Sequence, residues 1–241
     1  MNVPLHSTRF VLALTLVASL IPPALGVVYV KADATGTPID GSSWDRAFRT
    51  IQAGVYTSNE VWVAAGTYSE RLTLGSGLAL YGGFNGTEAT RGERNPSANP
   101  TIIDGGAAGN VIKADRLLFG VTIDGFTIRN GSAETGAGIL LSNCGSSTVA
   151  NCLITGNTAV SRGGGIYADF TNATIVNNRF VGNTCNGEGG AFTSYSGVHL
   201  IANNVIAHNH AGYVAALGTR YGTLTVTNNT IVDNSGRGAV D

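Results

Sequence analysis

The seven-residue phrase "NCLITGN" at 151–157 returns as "NNRFVGN" (177–183), "NNVIAHN" (203–209) and "NNTIVDN" (228–234). Its closing residues, Asn157, Asn183, Asn209 and Asn234, follow one another at steps of 26, 26 and 25. Two apolar columns keep the same step: Ile139, Ile166, Phe192 and Leu217, and Val149, Ile175, Ile201 and Val226. Each lies in a short alternating run such as "GIYADF" or "TVANC", with Gly and Asn between runs. That pattern predicts about three short strands per period, with no length left for a helix.

One such period cannot bury its own apolar residues, so it must stack on the next, each strand pairing with its counterpart at about 4.8 Å. The fold class is therefore all-β, a parallel β-helix with coils of 25–27 residues. The inward columns form the core at roughly 1.5–3 kcal/mol per side chain. The closing Asn of each phrase is expected at the coil corner, in left-handed geometry, with its amide bonded up the column. Recurrence at every coil suits packing and does not suit a unique catalytic centre. Cys144, Cys152 and Cys185 cannot all pair with one another, although export would permit a disulfide, and their spacing fits no metal pattern. Each reads as a small buried hydrophobe.

The ends differ from the middle. Residues 1–26 carry Arg9, an apolar run from Phe10 to Leu20, and small residues at Ala24 and Gly26, which reads as a signal peptide. The run is shorter than a spanning helix needs and is broken by Pro22 and Pro23. Residues 27–60 contain "SSWDRAFRTIQAGV", where Trp44, Phe48, Ile51 and Val55 share a helical face and Ser42 and Asp45 have capping-box spacing. An amphipathic helix there would cap the open end of the solenoid. Residues 61–120 give irregular first coils interrupted by a polar loop from Asn85 to Pro100, and residues 121–241 give the regular repeats. The last repeat stops at "SGRGAVD" without a cap, so a C-terminal continuation or a covering partner is expected. A formal net charge of −1 offers no basic face for nucleic acid, and no second apolar run is long enough to span a membrane.

Taken together, "YVKADATGTPIDGSSWDRAFRTIQAGV", "VWVAAGTYSERLTL", "LALYGGFNGTEATRGERNPSANPTIIDG" and the "GGGIY" and "NNTIVDN" repeats resemble the secreted right-handed parallel β-helix proteins of bacteria with the pectin lyase-like fold. The resemblance implies that fold, a secreted or cell-surface location and a polysaccharide partner. It is silent on activity, because such proteins include lyases, hydrolases and surface proteins. A lyase acting on uronic acids needs a cation for the carboxylate and a base for the C5 proton. A hydrolase needs clustered carboxylates, and the chain has no adjacent Asp pair.

On the first strand of each coil the outward position three past the apolar anchor is Ser142, Asp169, Tyr195 and Arg220, with Tyr167 and Thr193 beside it. Tyr167, Asp169, Thr193, Tyr195 and Arg220 are thus candidate ligand-binding residues, with Tyr195, Arg220 and Asp169 the candidates for catalysis. The alternative is a solvated β-face. Arg162 and Glu188 should stack as a surface ion pair. His208, His210 and Asp233 form a weak metal candidate, outweighed by a hydrogen-bonded corner. No cofactor is expected; calcium is left open but has no motif, since "GGGIYAD" places Ile166 where a calcium nonapeptide has Gly. The leading expectation is a glycan-binding or display protein without turnover, with a polysaccharide lyase, or a stalk segment of a longer surface protein, as alternatives.

Overall fold

A computed structural model describes residues 26–240. The expected leader, apart from Gly26, lies outside the described residues. The chain forms a parallel β-solenoid whose neighbours are set by the sequence period. Ile112, Ile139, Ile166, Phe192 and Leu217 stand in one register on the first face. Ile123, Val149, Ile175, Ile201 and Val226 do the same on the second. The third face is a seven-stranded ladder running from Gly66–Tyr68 to Thr230–Val232. A fourth, shorter ladder joins Ser132–Thr135, Thr158–Arg162, Thr184–Cys185 and His210–Ala211.

The fourth ladder explains one cysteine. Ala133, Ala159, Cys185 and Ala211 pair in succession, and the cluster beneath them holds only Ala and Cys. A narrow corner admits small side chains, so Cys185 stands where its neighbours are alanine. All three cysteines are unbonded and buried, and burial pushes the Cys152 thiol up to about 12. They are packing residues.

The corners between the faces are held by two amide ladders. In the first, the Asn157 amide donates to Asn183 Oδ1 (3.0 Å), Asn183 to Asn209 (3.0 Å) and Asn209 to Asn234 (2.9 Å). Each of these oxygens also accepts the backbone N–H of the Asn one coil below, and each amide donates its second hydrogen to a carbonyl about one coil back, as Asn183 does to Ile154 at 2.8 Å. Asn178, Asn204 and Asn229 repeat this at the corner between the second and third faces. Cys152 occupies the position one coil before Asn178 and gives only its N–H, at 2.9 Å.

The closing Asn therefore carries the hydrogen bonds but not the left-handed geometry. That falls to the residue before it, Gly156, Gly182, His208 and Asp233 (φ 52–66°), and to the first Asn of each phrase, Asn151, Asn177, Asn203 and Asn228 (φ 52–58°). The division is physical: a side chain aimed inward to bond the ladder needs extended backbone, and the reversal must be made next door.

The N-terminal cap is smaller than expected. Only Ile51–Val55 is helical, and its Ile51 and Val55 cover the core beside Val30, Val61 and Leu72. The segment before it is not helix, because Phe48 pairs with the edge of the sheet: its N–H donates to Tyr29 and its carbonyl accepts from Lys31. An open strand edge outcompetes a local helix for those donors. Trp44 packs instead among Tyr29 (4.7 Å) and Phe84 (5.5 Å) on the outside of the second face. Ser42 bonds Asp40 rather than forming a box with Asp45, and the two leading N–H groups of the helix are taken by the Glu70 carboxylate at 2.7 and 3.1 Å.

One buried side chain breaks the apolar pattern. His199 is 1% exposed, stands in register between Ala173 and Leu224, and meets the edge of Phe192 at 5.4 Å. Neither ring nitrogen has a hydrogen-bond partner among the described residues, and burial pushes its pKa below the ordinary value.

Asn183→Ala strips partners from several buried polar groups at about 1–3 kcal/mol each, so the urea midpoint should fall by the equivalent of at least about 3 kcal/mol. Asn234→Ala, at the half-exposed end of the ladder, should cost about 1 kcal/mol; equal costs would show that the ladder is not what holds the corner. For His199, the unfolded ring binds a proton before the folded one as pH falls. Its contribution is full above the unfolded pKa of about 6.5 and is lost as pH drops towards the depressed folded value. His199→Leu should flatten the loss of stability between about pH 7 and 5, and an unchanged slope in that window would contradict the assignment.

Candidate functional site

The first face carries the candidate residues on consecutive coils. Lys113, Leu140, Tyr167, Thr193 and Gly218 form one outward column, and Asp115, Ser142 and Asp169 form the next, with Tyr195 and Arg220 lying between paired neighbours on the two coils that follow. Tyr167 and Thr193 point outward yet are only 6% and 2% exposed. Thr193 Oγ1 donates to the Gly218 carbonyl at 3.2 Å, and Arg162 and Glu188, from the end of the fourth ladder and the corner after it, form a charged roof at this edge of the face.

Arg162 is the hub of that roof. Its guanidinium lies 6.0 Å from the Tyr195 ring, and its charge opposes the upward push that burial gives both the Tyr167 phenol and Asp169. Asp115, further down the column, adds to that push. Glu188 pairs in register with Arg162, but their charged atoms are 3.8 Å apart. Its stronger partner is Arg220, which donates from Nε and Nη2 to the two carboxylate oxygens. The fork holds Glu188 below the usual carboxylate range and keeps the Arg220 guanidinium charged. Arg220 is thus an anchored cation, poorly suited to accept a proton. Burial likewise raises the Tyr167 phenol and keeps it protonated.

Beside this charged roof runs an aromatic strip. The Tyr195 ring lies 5.6 Å from Phe170 and 5.0 Å from Tyr221. Phe170 is 58% and Tyr221 74% exposed. Phe170 also has φ 45°, in the left-handed region that a bulky residue rarely adopts. Two coils earlier the same register position holds Arg116 and one coil earlier Asn143, both also at positive φ. The corner geometry is therefore general, while the exposed phenyl is particular to this coil.

Alternation of side chains along a strand found Tyr167, Asp169, Thr193, Tyr195 and Arg220, but not Phe170 or Tyr221. Strict alternation turns the residues after Asp169 and Arg220 away from this surface; the left-handed corner at Phe170 turns its ring back. The available signal was an aromatic residue at a register position that carries Asn one coil earlier.

Among the described residues no three His, Cys, Asp or Glu side chains lie close enough to hold a metal ion. His210 Nδ1 instead meets Ser235 Oγ at 2.9 Å, and His208 occupies a left-handed corner position. Because the Arg220 side chain is 48% exposed, Arg220→Ala should cost less than about 1 kcal/mol in urea denaturation. A loss of several kcal/mol would make Arg220 a structural residue and remove it from the site.

Residues 101–240, more than half of the chain, match the family model described as the right-handed beta helix region. No curated protein and no solved structure matches the chain.

Proposed function

We propose that this protein, which belongs to the right-handed β-helix family, is an exported or surface-displayed glycan-binding protein that holds its ligand without turnover. The fold supports surface-related or polysaccharide-directed work in general. Among the described residues no helix is long and apolar enough to cross a membrane. The leader-like residues 1–26 support export.

The observation that carries the reading is the exposed strip of Phe170, Tyr195 and Tyr221 beside Arg162, Glu188 and Arg220. Sugar rings present apolar C–H faces that lie on aromatic rings, and their hydroxyls take hydrogen bonds from anchored ions. Phe170 strains its backbone to put an apolar ring in water, and neither feature helps folding. A contact made only in the complex accounts for both. The second reading is a lyase on the same face, favoured by the raised pKa of Asp169 next to Arg162.

The test is titration of the purified protein with a panel of neutral and uronic oligosaccharides, together with an assay for new reducing ends. Tyr195→Ala should weaken binding by about tenfold, the worth of one aromatic contact. Phe170→Asn, which suits the left-handed corner, should leave stability unchanged or raised and still weaken binding. Product that vanishes in Asp169→Asn would replace this reading with the lyase. Unchanged affinity in both aromatic variants, or no binding by the wild-type protein, would overturn it.

A further inference from the structure

The polar loop from Asn85 to Pro100 is held far more tightly than its connection requires. Glu88, 7% exposed, accepts the N–H groups of Asn85, Gly86 and Thr87 at 2.6–3.1 Å, and its own carbonyl accepts the Trp44 indole at 2.9 Å. Thr90 and Glu93 form a capping box around the 3-10 turn Arg91–Glu93. Arg94 is pinned to Asp124 at 2.8 Å, and both Arg91 and Arg94 lie over the Tyr81 ring, at 4.6 and 5.3 Å. Sixteen residues ordered in this way lose conformational entropy that a plain connector would keep.

The loop forms one wall of a groove of about 1000 Å³ against the third face. Its floor is built from the consecutive coil positions Thr127, Leu153 and Arg179, and Asn177 stands at the far corner. Three arginines, Arg91, Arg94 and Arg179, line it, and no acidic side chain does. The charge of Arg94 is matched by Asp124, and Arg91 lies only within 3.9 Å of Glu60. Arg179 is exposed, stands in register between Leu153 and Val205, and has no carboxylate partner among the described residues. In a chain of net charge −1, a groove whose floor carries an unpaired arginine and whose loop wall adds two more is a local reversal of the bulk charge.

We infer that this groove is a second binding site, for an anionic saccharide carrying carboxylate or sulfate groups. Arg179 is its principal anion contact, with a guanidinium fork free to bind two oxygens at once. Arg91 lines the groove from the loop, its Nη1 donating to the Tyr81 hydroxyl at 2.9 Å, and the Asn177 amide offers a donor and an acceptor to hydroxyls. Arg94 and Arg179 lie two coils apart, about 10 Å along the axis, so the groove suits an extended chain better than a free inorganic ion. The site is on a different face from the aromatic strip and does not depend on it.

The experiment is calorimetric titration of the purified full protein with an oligogalacturonate hexamer, a sulfated oligosaccharide of similar length and a neutral hexasaccharide. The first two arms separate carboxylate from sulfate as the preferred group. At least one acidic ligand should bind, more weakly as salt rises. Arg179→Ala should lose at least tenfold in affinity for the acidic ligand, Arg179→Lys should recover part of it, and neither variant should change binding of the neutral hexasaccharide. Arg179 is an exposed strand residue, and the Lys variant guards against a misfolded Ala variant. The inference is overturned if neither acidic ligand binds, if Arg179→Ala binds the acidic ligands as the wild type does, or if Arg179→Ala loses the neutral ligand to the same extent.

Discussion

Buried backbone N–H groups at the coil corners are the constraint from which the rest follows. A corner reversing inside the solenoid cannot bond its N–H groups within its own coil. The side-chain oxygen of an asparagine one coil further on accepts them instead, as Asn183 does for Asn157 and Asn204 for Asn178. From Gly131 onward each coil is thus completed by its neighbour, and an amide left without that neighbour would cost about 1–3 kcal/mol. The requirement fixes the period at 25–26 residues across the ladder and so fixes which side chains lie side by side on every face. Columns are the unit of this molecule.

Because the period was written in the sequence, the register was legible there. The inward positions Ile139, Ile166, Phe192 and Leu217 align as their spacing implied, and so do the outward ones through Asp169. What spacing could not convey was competition for hydrogen bonds. Trp44, Phe48, Ile51 and Val55 fit a helical face, yet the open edge of the first strand claims Phe48 and leaves a helix of five residues. Nor could it convey where long side chains reach. Arg162 and Glu188 lie several residues from the candidate column in sequence, yet Arg162 bears on the charge of Tyr167 and Asp169 and Glu188 anchors Arg220. The Phe170 ring was hidden for a third reason: a left-handed residue breaks the alternation on which the outward column was counted.

The same stacking bears on function. A solenoid pinned at its corners offers fixed rows of side chains at about 4.8 Å, so a ligand meets a lattice whose ordering entropy was spent on folding. The first face presents rings and a neutralised ion pair, the surface on which glycan binding is proposed. The third presents arginines beneath a braced loop, a surface for negative charge. Residues that depart from ladder logic, an exposed phenyl at a corner and an arginine between Leu153 and Val205, are where the columns do something other than pack.

Native-state amide hydrogen exchange tests the central claim most directly. If the ladders tie the coils into one lattice, the N–H groups of Cys152, Asn157, Asn178, Asn183 and Asn204, each bonded to an asparagine oxygen one coil on, should exchange only with global unfolding, and at a common free energy. Exchange of these amides at rates like those of the loop amides, or coil by coil with separate free energies, would contradict the account.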